Sequence, residues 1–75
     1  MEIYYTDNEL YVEVTDVVNS KFVRKLKNRL DAILGSYSMN RVNIIIDNNE
    51  RYDFSLIEEL INDMDNKYHC VFVVK

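Results

Sequence analysis

A chain of 75 residues with a net charge of −4, 48% apolar and 29% charged residues, fits one globular domain over residues 1–75 and excludes both a second core and a disordered chain. One glycine and no proline exclude the glycine-rich phosphate loops of P-loop and dinucleotide enzymes, and the acid excess disfavours a nucleic-acid partner through long-range repulsion of the phosphate backbone. The lone Cys70 has no disulfide partner, no apolar run approaches the roughly 18 residues of a membrane span, and Met1-Glu2-Ile3 lacks a basic leader start, so a cytoplasmic protein is expected.

Ile3-Tyr4-Tyr5, Thr6-Asp7-Asn8-Glu9 and Leu10-Tyr11-Val12-Glu13-Val14 read as a hairpin. The arms are β-branched and aromatic, and Asp7-Asn8 tolerates the positive φ of a tight turn. Leu10, Val12 and Val14 share the buried face of the second arm. From Ser20 the period changes. Phe22, Val23, Leu26, Leu30, Ile33, Leu34 and Tyr37 recur at three- and four-residue steps and predict a helix, capped by Asn19 or Ser20 and stopped by Gly35 in a left-handed conformation.

Arg41-Val42-Asn43-Ile44-Ile45-Ile46 is a nearly continuous apolar run, as a central strand covered on both faces would be. The polar loop Asp47-Asn48-Asn49-Glu50-Arg51 leads to a second helix carrying Leu56, Ile57, Leu60, Ile61 and Met64. Ser55 and Glu58 have the spacing of a capping box; the alternative is Asp53 as the cap, with Tyr52 and Ile57 as a hydrophobic staple. Tyr68 to Val74 reads as the last strand.

The expected fold is thus α/β, ordered β-β-α-β-α-β, with a four-stranded mixed sheet and two helices mainly on one face, because successive crossovers share one hand. A split arrangement is the alternative. In the one-sided case the far face, carrying some of Tyr4, Tyr11, Ile45, Val71 and Val73, lacks cover and becomes a contact surface.

Catalytic chemistry finds little support. His69 and Cys70, the only pair of their kinds, are neighbours on a strand and point to opposite faces. Glu59 and Asp63 stand one helical turn apart, yet no calcium-loop pattern accompanies them, so neither a metal nor a cofactor is expected. Charge placement says more. Lys21, Arg24, Lys25, Lys27 and Arg29 crowd the first half of helix one, against the helix dipole, while helix two is acidic. The cations either pair with acids of the neighbouring helix or face a partner.

Leu10 to Thr15, a polar turn, a helix with Lys25-Leu26-Lys27 and Leu30, and the strand Val42 to Asp47 together resemble the STAS domain of bacterial anti-sigma-factor antagonists. That family shares the β-β-α-β-α-β order and opens its second helix with a D-S-S-G-like turn, where this chain has Asp53-Phe54-Ser55-Leu56. The resemblance implies a non-catalytic regulatory module whose partner is another protein, such as an anti-sigma factor or a regulatory kinase. Contacts are then expected at Asp53, Phe54, Ser55 and Ile57, with Lys21, Arg24 and Lys25 as a second surface. Phe54 occupies the family's phospho-acceptor position and Ser55 stands one step later, which leaves Ser55 as the phosphorylation candidate and a helix cap as its competing role. The family usually continues with further helix and strand, so a minimal or truncated member is implied, with an edge or face open to a homo-oligomer.

Overall fold

The hairpin turn is the first local decision the chain makes. In the computed structural model, which describes residues 1–46 and 54–75, β1 (Glu2–Thr6) and β2 (Glu9–Val14) are joined by Asp7 and Asn8 at φ 52° and 63°. Positive φ at both central residues is what a two-residue type I′ turn requires, and the short polar side chains of Asp and Asn reach it at the least steric cost. The turn fixes the antiparallel register, with Tyr4 opposite Tyr11 and Ile3 opposite Val12.

Helix α1 (Ser20–Leu34) starts where the Asn19 Oδ1 accepts the Phe22 N–H at 2.8 Å, satisfying one of the orphan donors of the first turn. Phe22, Leu26, Leu30 and Leu34 are its buried stripe. Tyr37 falls beyond the helix and is 65% exposed, correcting its expected place on that stripe. Gly35 does stop the helix, but at φ −75° rather than in the left-handed region. The exit is held instead by Gly35 N–H donating to the Asp31 carbonyl at 3.0 Å and Tyr37 N–H to the Ile33 carbonyl at 2.9 Å. A Cβ at position 35 would stand 2.8 Å from the Asp31 carbonyl oxygen, so glycine serves a close approach and not a positive φ.

Strands β3 (Arg41–Ile46) and β4 (Val71–Val74) complete a sheet of order β1-β2-β3-β4, in which β1 is antiparallel and the other three are parallel. Helix α2 (Phe54–Lys67) connects β3 to β4. It already includes Ser55 in its first turn, so the expected Ser55–Glu58 capping box does not precede the helix. The polar loop after β3, the Asp53 cap and the Tyr52 staple lie outside the described residues. The last strand begins three residues later than its sequence pattern suggests. Tyr68 N–H still donates to the Met64 carbonyl at 2.7 Å and Cys70 N–H to the Tyr68 carbonyl at 2.9 Å, which bends this segment into a turn.

Register assigns the sheet faces. Leu10, Val12 and Val14 lie level with Val42, Ile44 and Ile46 on one face, and Phe72 and Val74 continue it. Leu10, Val12, Val14, Val42 and Ile44 form one core with the α1 stripe and with Ile57, Leu60 and Met64 of α2, so both helices cover this face. The other face carries three levels of residues. Glu2, Glu13 and Ile45 share the first; Tyr4, Tyr11, Asn43 and Val73 the second; Thr6, Glu9, Arg41 and Val71 the third. All five residues expected on an uncovered face are therefore on it, and Tyr4 and Val71 are 44% and 55% exposed.

Candidate functional site

Parallel crossovers bring the starts of both helices to one end of the molecule. Ser20, Val23, Arg24 and Lys27 of α1 and Leu56, Glu59, Leu60 and Asp63 of α2 line a groove of about 310 Å³ between the two. Lys27 Nζ reaches Asp63 Oδ2 at 3.5 Å across it, so the acid thought able to share a cation with Glu59 is engaged by a lysine. Pairing with the acidic neighbour accounts for Lys27 alone. Lys21, Arg24, Lys25 and Arg29 form no ion pair among the described residues and are exposed. The first turn of α1 contains no acid, and Lys21 within it opposes the dipole by about a few tenths of a kcal/mol.

The α2 side of this end offers an aromatic. Phe54 is 46% exposed in the first turn, and Ser55 beside it is exposed. Ile57 is 0% exposed and belongs to the core, so it is out of reach of a partner; Asp53 lies outside the described residues. Of the residues singled out from sequence, the structure thus gathers Lys21, Arg24, Lys25, Phe54 and Ser55 at one end and withdraws Ile57.

The opposite end holds a larger cavity, about 550 Å³, between the α1–β3 and α2–β4 connections. Two of its lining residues, Lys67 and Tyr68, are tied to Asp31 of α1. Lys67 Nζ and the Tyr68 hydroxyl each donate to Asp31 Oδ1 at 3.0 Å, and the Lys67 ammonium lies 5.5 Å from the centre of the Tyr68 ring. Burial tends to raise the Asp31 carboxyl, but the bonds from Lys67 and Tyr68 outweigh it and hold the group below its ordinary value. Burial and the Asp31 contact push the Tyr68 phenol up, and burial with nearby Asp65 pushes the Cys70 thiol up. A buried thiol kept protonated is a poor nucleophile, and its neighbour His69 is exposed.

The third surface is the helix-free sheet face. Tyr4 and Tyr11 stack there with centroids 5.3 Å apart and planes 9° apart, and the Tyr4 hydroxyl donates to Glu13 Oε1 at 2.9 Å. Asn43 sits at its centre, only 1% exposed. Its Nδ2 donates to Glu9 Oε1 at 3.2 Å and to the Leu10 carbonyl at 3.4 Å, whereas Oδ1 meets no donor among the described residues. Sequence reasoning passed over Asn43 by absorbing it into an apolar run; the signal was there, a single amide among Val42, Ile44, Ile45 and Ile46.

Among the described residues, no cluster of three or more His, Cys, Asp or Glu side chains is placed to hold a metal ion, and no helix is long and apolar enough to cross a membrane. No protein-family model matches this sequence, and neither curated proteins nor solved structures give a match.

Proposed function

We propose that this chain is a non-catalytic regulatory module of the bacterial cytoplasm that works by gripping another protein, in the manner of the anti-sigma-factor antagonists its sequence resembles. One observation carries the reading. The exposed Phe54 ring and the cations Lys21, Arg24 and Lys25, which lack an ion-pair partner among the described residues, occupy the same end of the molecule. A half-exposed aromatic at the same end of the molecule as several exposed cations has the makeup of an interface anchor and its polar rim. The partner it suits, an anti-sigma factor or regulatory kinase, presents an apolar pocket bordered by carboxylates. Ser55, in the same first turn, is where a phosphoryl group would set its charge against that contact.

The test compares capture of the partner from the native cell by wild type and by Phe54→Asp, with circular dichroism showing both folded. Loss of capture on substitution is the expected result; equal capture by the two overturns this surface. A second reading, self-association through the helix-free sheet face, is favoured by the exposed Tyr4 and Val71 side chains on that face.

A further inference from the structure

We propose that the helix-free face is a homodimer interface in which two copies stack sheet on sheet about a twofold axis parallel to the strands. The inference rests on the self-association reading and adds to it a face, an axis and a set of paired residues. It is independent of the docking end at the helix starts.

Charge is divided across this face. Glu2, Glu9 and Glu13 stand on the β1–β2 half with the stacked tyrosines. The β3–β4 half carries Arg41, Ile45, Val71 and Val73. Lys75 extends this half, since its N–H donates to the Ile44 carbonyl at 2.9 Å and its carbonyl accepts from Ile46 N–H at 3.3 Å, which sets Lys75 level with Ile45. Strand alternation then gives Lys75 the same face as Val71 and Val73.

A twofold axis parallel to the strands leaves every level at its own height and exchanges the halves. Glu2 of one copy then stands over Lys75 of the other, Glu9 over Arg41, and Tyr4 over Val73. Each acid meets a cation or an aliphatic side chain. An axis perpendicular to the strands exchanges the first and third levels instead and sets Glu13 over Glu9, like charge on like charge. Complementarity therefore selects the parallel axis. Stacked sheets keep their strands within about 30° of each other, so the levels stay matched near the centre. Four strands about 4.8 Å apart and about 17 Å long make a planar footprint of about 330 Å², well below the ~800 Å² per partner typical of stable specific interfaces and in the range of weak, transient ones. Dimer and monomer are thus expected to exchange in the micromolar range.

Glu2 and Lys75 lie on opposite edge strands of one copy, too far apart to pair within it, which makes them the reporters. Sedimentation equilibrium at low salt, from about 5 to about 200 μM, is expected to show wild type passing from monomer to dimer. Glu2→Lys and Lys75→Glu should each weaken the dimer about tenfold by placing like charges together twice. An equimolar mixture of the two variants should regain the wild-type affinity, because the heterodimer restores both pairs. Wild type that stays monomeric throughout overturns the dimer and the self-association reading with it. Association that ignores the single substitutions, that grows beyond dimers, or that the mixture fails to rescue overturns this interface alone.

Discussion

Asn43 shows how one residue can be plain in composition and still hidden in meaning. Its neighbours in sequence are aliphatic, yet register turns its amide toward the helix-free face, where Oδ1 meets no donor among the described residues. A buried acceptor without a donor costs about 1–3 kcal/mol, more than the long bond to a half-buried Glu9 returns. Asn43→Val, which also suits a strand, is expected to raise stability by about 1 kcal/mol in urea denaturation; a fall of that size would show that the amide is fully satisfied. Asp31 makes the converse point. Its partners Lys67 and Tyr68 stand 36 and 37 positions away, beyond any local pattern. Because the folded carboxyl lies below its ordinary 3.8, its contribution is present above that pH and lost as pH falls through the folded value. Asp31→Asn should therefore lower stability at neutral pH and flatten the acid limb of the stability profile. An unchanged acid limb would contradict the assigned pairing. Asn19 and the Asp7-Asn8 turn were legible because capping and turn chemistry act within three residues.

At the scale of elements, periodicity located both helices and all four strands, because burial repeats at 3.6 residues in one and alternates in the other. Its failures sit at the ends. Tyr37 keeps helical spacing after the helix has stopped, and Tyr68 to Cys70 keep strand-like composition while bending through a turn. Nothing in a periodic pattern marks where hydrogen bonding ceases. The start of α1 offers a test of whether its cations serve contact or stability. Lys21→Glu puts an acid in the first turn of the helix, which should stabilise the fold by about 0.3–1 kcal/mol while weakening partner capture. Stability and capture moving together, in either direction, would mean that Lys21 acts through the fold rather than through the contact.

Across the whole molecule, the sheet order and one-sided helix cover follow from the alternation of elements, since consecutive crossovers of one hand place both helices on the same face. The same rule brings the two helix starts to one end of the molecule, which is why Phe54 and Lys21, read separately along the chain, lie toward the same end. The withdrawal of Ile57 was not legible, because its spacing marks equally a core position and a site one turn into a docking surface. The faces of the sheet divide their labours, one sealed by α1 and α2 and one carrying a stacked tyrosine pair between acidic and basic halves. The proposed docking end is tested most directly by placing a photoreactive side chain at Phe54, and in a second protein at the exposed Ala32 further along α1, then irradiating each in its native cell extract. The account predicts a discrete adduct to another protein from position 54 and none from position 32; adducts of equal yield from both, or from position 32 alone, would contradict it.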